Sequence, residues 1–222
     1  MKAMILAAGQ GKRMRPLTDT IPKPLIKVKD KELIVYHIEK LATLGFKQII
    51  INIAYLGYKI PEALGNGERW GVELIYSDEQ EIGGLESAGG IVKALTLLGD
   101  DTFLVVNADI FCDYNFDINF DLKDKLAHLI LVKNPQHNLD GDFGLKDKIV
   151  LNESDKMFTF SGIGYYSPKF FDGLKVEKKP LAPLLRAAIN TKQISGSLHD
   201  GIWHDIGTPQ RLEEINEGTL IA

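Results

Sequence analysis

The chain has 222 residues, 45% of them hydrophobic, enough to close a sizeable core around a single domain. Its 26 basic and 30 acidic residues leave a net charge of −4, which argues against a nucleic-acid or anionic-membrane surface. A lone cysteine, Cys112, excludes an internal disulfide framework. The apolar run after Lys2 is too short for a signal peptide, and nothing approaches a membrane span, so a cytoplasmic protein is expected.

The first element is a short apolar run, Ala3 to Ala8, read as a buried strand that stops at Gly9. Gly9 and Gly11 leave backbone N–H groups free to approach an anion, and Lys12, Arg13 and Arg15 follow before Pro22-Lys23-Pro24. A strand running into a glycine- and cation-rich loop is one way α/β proteins hold phosphate. A solvated surface loop is the alternative: the dinucleotide fingerprint lacks its third glycine, and no Gly-Lys-Ser/Thr closes a Walker loop. Glu32 to Leu44 places Ile34, Ile38 and Leu41 at helical spacing, with Gly45 as its stop. Strands are expected over 48–53, 72–76 and 102–106, and helices over 58–64 and 89–98. That alternation predicts a doubly wound, mostly parallel α/β sheet of the Rossmann type. Beyond residue 126 the texture changes to strands joined by turns, at 126–132, 143–145, 149–151 and 158–165. A helix at 181–189, a strand at 201–206 and a helix at 209–217 complete the chain. The expectation is one domain, with a nucleotide half over about 1–125 and a smaller acceptor half over about 126–222.

Two aspartates stand where such folds bind ligands. Asp109 falls just past the end of the 102–106 strand, at the carboxyl edge of the sheet. It could hold Mg²⁺ or simply shape a turn. Asp205 lies in Trp203-His204-Asp205-Ile206-Gly207-Thr208, before a helix with Thr208 as its N-cap; a turn or capping role is the alternative there. Ser87 is either the cap of the next helix or a hydroxyl facing a ligand. The histidines at 37, 128, 137, 199 and 204 show no metal-ligand spacing, and the lysines at 175, 178 and 179 read as a solvated face.

Leu6-Ala7-Ala8-Gly9-x-Gly11-x-Arg13-Met14-x-Pro16-Leu17-Thr18, followed by Pro22-Lys23-Pro24-Leu25, resembles the signature of the sugar-1-phosphate nucleotidyltransferases. Lys12 stands where that family often has threonine, and Met14 where it usually has leucine. The resemblance implies that Ala7, Ala8, Gly9 and Gly11 wrap a nucleoside triphosphate, that Arg13 holds the leaving phosphates and that Lys23 reaches the reacting phosphate. It makes Asp109 and, through Trp-x-Asp-x-Gly-Thr, Asp205 the two carboxylates on a Mg²⁺ ion. Leu85-Glu86-Ser87-Ala88 resembles a base-reading segment in which Glu86 replaces a common glycine, and Ser87 keeps the hydroxyl. Asp142, Gly144 and Ser161 are implied as sugar contacts, on shorter motifs. The likeness extends through Asn52-x-Ala54-Tyr55-Leu56-Gly57 and Leu181-Ala182-Pro183-Leu184-Leu185-Arg186. It implies UTP as donor and N-acetylmuramate 1-phosphate as acceptor, in bacterial cell-wall recycling. A hexose 1-phosphate or phosphocholine is the alternative acceptor, and a non-catalytic nucleotide-sensing subunit the alternative of another class.

Overall fold

The computed structural model describes residues 1–218. Strand β1 (Ala3–Leu6) is apolar throughout because both its faces are covered: Ala3 and Ile5 enter one core and Met4 the other. A two-residue hairpin, β2 (Lys27–Val28) with β3 (Lys31–Glu32), leads into α1 (Leu33–Thr43). The chain continues through β4 (Gln48–Ile53), α2 (Lys59–Leu64), β5 (Glu73–Asp78), α3 (Glu86–Leu98) and β6 (Phe103–Asn107). These four longer strands pair in parallel in the order β5-β4-β1-β6, so their carboxyl ends share one edge.

A short β7 (Ile110–Cys112) follows, then β8 (Ala127–Val132), β9 (Phe143–Lys146), β10 (Ile149–Leu151) and the long β11 (Met157–Tyr166). The last elements are α4 (Leu181–Asn190), β12 (Ile194–His199), β13 (Trp203–Asp205) and α5 (Pro209–Asn216). Strand β11 runs antiparallel to both β6 and β8, which carries one sheet unbroken through nine strands, β5-β4-β1-β6-β11-β8-β12-β10-β9. The parallel character belongs to the first half; in the second, only β12 beside β8 is parallel among the described residues.

The sheet is covered on both faces. Ile34, Val35, Ile38 and Leu41 of α1, with Ile60 and Leu64 of α2, pack one face; Ala88, Ile91 and Leu98 of α3, with Leu181, Leu185 and Ile189 of α4, pack the other. A third, small cluster joins Met14, Ile26, Val28, Leu33, Ile206 and Ile215. It ties the glycine-rich loop to the chain's last strand and helix, and full burial of a side chain such as Met14 contributes about 1.5–3 kcal/mol.

Strand β12 has no counterpart among the expected elements. Gly196 and two serines blur its alternation, yet the gap between β8 and β10 demands a glycine: a Cβ at 196 would stand 2.7 Å from Val150 Cγ2. Helix α3 begins at Glu86, three residues before the expected start, and the 201–206 strand is confined to Trp203–Asp205. Among the described residues no helix is long and apolar enough to cross a membrane.

Candidate active site

A cavity of about 550 Å³ opens at the carboxyl edge of β1, β4 and β6. Ala7, Ala8, Gly9, Gly11, Arg13, Lys23, Ser87 and Asp109 all line it, so the structure brings the candidate nucleotide residues together. The loop is closed by its own atoms. Gly11 has φ +61°, Met14 N–H donates to its carbonyl at 2.8 Å, and Thr18 Oγ1 donates to the same oxygen at 2.9 Å. A Cβ on Gly11 would lie 2.8 Å from Thr18 Cγ2, so this position needs glycine for space as well as for φ. Met14 is wholly buried in the small cluster, where a methionine replaces a leucine at nearly constant volume.

Lys23 leaves a short turn that begins at Pro22, and its Nζ donates to Asp109 Oδ2 at 2.5 Å. The lysine side chain is almost buried, while that of Asp109 is about one-third exposed to the cavity. Ala108, where the family commonly has glycine, is not among the residues with positive φ, so alanine imposes no strain there.

Asp205 does not itself line the cavity, but a two-stranded ribbon brings its backbone beside Asp109. β13 pairs antiparallel with β7, setting Asp205 opposite Ile110, and Ile206 N–H donates to the Asp109 carbonyl at 2.8 Å. The two aspartates are therefore adjacent in backbone, although far apart in sequence. Each carboxylate already has a counter-charge. Arg211 Nη1 donates to Asp205 Oδ1, and His137 Nε2 lies 2.9 Å from that oxygen. A Cβ on Gly207 would stand 3.0 Å from Arg211 Nη2, 3.1 Å from Arg13 Nη2 and 3.2 Å from Asp205 Oδ2. Two guanidinium groups and a carboxylate thus crowd one glycine. Neither Arg211 nor His137 stood out in the sequence, because only the fold carries them to Asp205. Thr208 does cap α5, accepting from Arg211 N–H at 3.4 Å.

Asp109, in the turn between β6 and β7, and Asp205, at the end of β13, are hard oxygen donors of the kind that suits Mg²⁺, which takes one or two carboxylates and fills its remaining positions with phosphate oxygens and water. Among the described residues no group of three or more His, Cys, Asp or Glu side chains gathers as a self-sufficient metal cage. His37, under β7, is fully buried, and burial pushes its imidazole down to about 4; it packs as a neutral side chain.

Opposite the phosphate loop lie Gly83, Gly84, Glu86 and Ser87. Glu86 has φ +59°, a left-handed backbone, which explains why a glycine is common at this point of the resembled segment. Lys178, read from sequence as part of a solvated face, also lines the cavity, with its Nζ 3.9 Å from Glu86 Oε1. The chain around it is pinned to α3: Ala88 and Gly89 N–H donate to the Lys179 carbonyl at 3.0 and 3.2 Å. A Cβ on Gly89 would meet the Glu177 carbonyl at 2.1 Å, so that glycine permits the contact.

The three candidate sugar residues do not line this cavity. Ser161 is buried, its hydroxyl donating to the Ile130 carbonyl at 2.7 Å and accepting from Ile163 N–H at 3.2 Å, which stitches a bulge between β11 and β8. Asp142 Oδ2 accepts from Phe160 N–H at 2.8 Å. Gly144 lies against Ser154, whose Cβ would be 2.4 Å from a Cβ at 144. In this structure Ser161 and Asp142 spend their side chains on strand geometry.

A glycine- and cation-rich loop beside a lysine–aspartate pair marks an α/β protein whose ligand cavity lies at the carboxyl ends of its strands. The nucleotidyl transferase family matches residues 2–220, and the chain belongs to that family. An N-acetylmuramate alpha-1-phosphate uridylyltransferase of Neisseria meningitidis serogroup B is 50% identical over 223 residues, 96% of each chain. A UTP–glucose-1-phosphate uridylyltransferase of Synechocystis is 36% identical over 172 residues, 72% of this chain and 43% of its own length. Among solved structures, HddC of Yersinia pseudotuberculosis has a TM-score of 0.81 at 20% identity, covering 98% of this chain and 99% of its own. The CTP:phosphocholine cytidylyltransferase of Streptococcus pneumoniae has a TM-score of 0.76 at 24% identity and 98% coverage of both chains. At those identities the likeness concerns the fold.

Proposed function

We propose that the chain is a Mg²⁺-dependent uridylyltransferase, working in the cytoplasm in peptidoglycan recycling, that joins UTP and N-acetylmuramate 1-phosphate into UDP-N-acetylmuramate and pyrophosphate. The observation that carries base and acceptor is the 50% identity to the Neisseria enzyme over 96% of both chains. The cavity supports the reaction class independently, through its loop amides, Arg13 and the Lys23–Asp109 pair.

The acceptor phosphate has a second pKa of about 6, so its oxygen is anionic at neutral pH and needs no base. That oxygen attacks the α-phosphorus of UTP. A new P–O bond forms, the bond to the α,β-bridging oxygen breaks, and pyrophosphate leaves with the electron pair. Repulsion between two polyanions and their in-line alignment dominate the barrier. Lys23 serves the α-phosphate, while Arg13 and the amides of Gly9 and Gly11 hold the leaving group. Asp109 and Asp205 would hold Mg²⁺, which supplies charge neutralisation between the reacting phosphates when bound. Lys23 and Arg211, the present counter-ions of those carboxylates, are the charges a cation must replace.

The test is a crossed panel. UTP, CTP, GTP, ATP and dTTP are set against muramyl, glucosaminyl, glucosyl and mannosyl 1-phosphates and phosphocholine, and scored by kcat/KM. UTP with the muramyl phosphate is expected to lead. Preference for a plain hexose phosphate or phosphocholine would overturn the acceptor, and tight nucleotide binding with no turnover would favour a sensing subunit. Excess chelator is expected to abolish turnover; undiminished activity would remove the metal.

A further inference from the structure

Beneath the cavity, a chain of buried polar groups joins the two segments that face each other across it. Asn52, on β4, is 2% exposed, and Glu79, just past β5, is wholly buried. Asn52 Oδ1 accepts from Ala7 N–H at 2.8 Å, at the root of the phosphate loop. Asn52 Nδ2 donates to Glu79 Oε1 at 2.8 Å, and Leu85 N–H donates to Glu79 Oε2 at 2.8 Å, at the root of the Glu86–Ser87 segment. The backbone of Glu79 does the same job on the intervening turn. Its carbonyl accepts from Ile82, Gly83 and Gly84 N–H at 3.1, 3.0 and 3.4 Å, while its own N–H donates to Ile53 O at 2.7 Å.

Helix α3 leaves room for this arrangement. A Cβ on Gly90 would stand 2.7 Å from Glu79 Oε1 and 2.8 Å from Asn52 Nδ2, so a glycine sits where the helix passes the network. Both Glu79 oxygens accept from neutral donors, and no lysine or arginine pairs with the carboxylate among the described residues. Burying a carboxylate without a cation is costly unless hydrogen bonds to the charged form compensate. The sheet and helix alone do not call for such a group here; apolar side chains would fill the space more cheaply.

We infer that Glu79 and Asn52 are positioning residues for nucleotide binding: the carboxylate and the amide together fix the distance between the phosphate loop and the segment that faces it across the cavity. This rests on the reading of that cavity as the nucleotide site. A triphosphate bound to the loop and a base bound near Ser87 must be held at one separation. A two-residue bridge with fixed hydrogen-bond polarity sets that separation, Glu79 from beneath the cavity and Asn52 from its wall.

The polarity of the bridge supplies its test. In Glu79→Gln the new amide has one oxygen where two donors converge, so either Asn52 Nδ2 or Leu85 N–H loses its acceptor. In Asn52→Asp two carboxylates face each other. In the double variant the charge moves across and every bond returns. The carboxylate introduced at position 52 accepts from Ala7 N–H and from the amide introduced at position 79, whose oxygen in turn accepts from Leu85 N–H. The readout is calorimetric affinity for whichever nucleoside triphosphate the wild type binds most tightly, together with nucleotide and acceptor KM and with kcat. Each single variant is expected to weaken nucleotide binding roughly tenfold or more, as loss of a hydrogen bond to a charged group implies, with acceptor KM changed less than about twofold. The swap is expected to return nucleotide affinity to within about threefold of wild type. Single variants that fold and bind nucleotide normally would overturn the inference. If a single variant does not fold, the double variant decides: a folded protein with nucleotide affinity more than about tenfold below wild type overturns it equally. Because binding is read on the preferred triphosphate, a wrong base or acceptor in the proposed reaction leaves this result intact.

Discussion

Lys23 Nζ and Asp109 Oδ2 lie 2.5 Å apart at the mouth of the loop, and each satisfies the other's charge. A pair of this kind is costly to cut on one side, because the survivor is left without its partner in a partly desolvated place. Lys23→Ala is expected to lower kcat by about 10²–10³, the range for removing one electrostatic donor from a developing charge. Asp109→Asn is expected to be similarly inactive while keeping a folded circular dichroism spectrum, since the asparagine oxygen still offers Lys23 an acceptor at a position one-third exposed. Activity within a few-fold of wild type in either variant would withdraw that residue from the machinery. Lys23 was readable through a long, strict motif and Asp109 through its place just past a strand end, while their pairing shows only in the fold. Arg211 and His137 were not readable: a helix arginine and a loop histidine acquire meaning only once Asp205 Oδ1 is known to lie against both.

At the scale of elements, the start of α3 carries a visible cost. Glu86 occupies φ +59° at the point where the helix begins, and Gly89 and Gly90 behind it make way for the Glu177 carbonyl and for Glu79. A left-handed L-residue costs roughly 1–2 kcal/mol, part of which glycine returns as unfolded-state entropy. Glu86→Gly is therefore expected to raise the unfolding free energy by about 0.5–1 kcal/mol, read from the urea midpoint at unchanged m-value. An unchanged or lower midpoint would mean that the ion pair with Lys178 outweighs the strain. Apolar periodicity marked α1, β4 and α4 closely, since their residues meet cores on regular faces. It could not mark β12, a strand held by neighbours on both sides and not by side-chain pattern, nor show that the exposed Lys178 borders the cavity. Ser161 and Asp142 have a structural use that the sequence did not show. Polar residues in a glycine-rich stretch look like ligand contacts, and here their side chains repair the irregular backbone around a bulge.

Across the whole molecule, the two halves are parts of one sheet. β11 is hydrogen-bonded to β6 over Ile163–Tyr166 on one side and to β8 on the other, so the strands before residue 125 and those after it are neighbours in a single hydrogen-bonded layer. Helices cover both of its faces, and the alternating side chains of β1, β4 and β6 lock into both cores. Among the described residues no linker separates a donor module from an acceptor module, and rotating one half against the other would break four ladder partners at once. Any change on nucleotide binding is then expected at the rim, in the glycine-rich loop, the Gly83–Gly84 turn and the chain around Lys178, over an unchanged sheet. Small-angle scattering with and without UTP is expected to give the same radius of gyration, with hydrogen-exchange protection gained only along those rim segments. A measurable contraction on binding would require the sheet to bend. The molecule is built as a workbench, a single sheet on which the glycine-rich loop and Asp109 keep a fixed distance from each other.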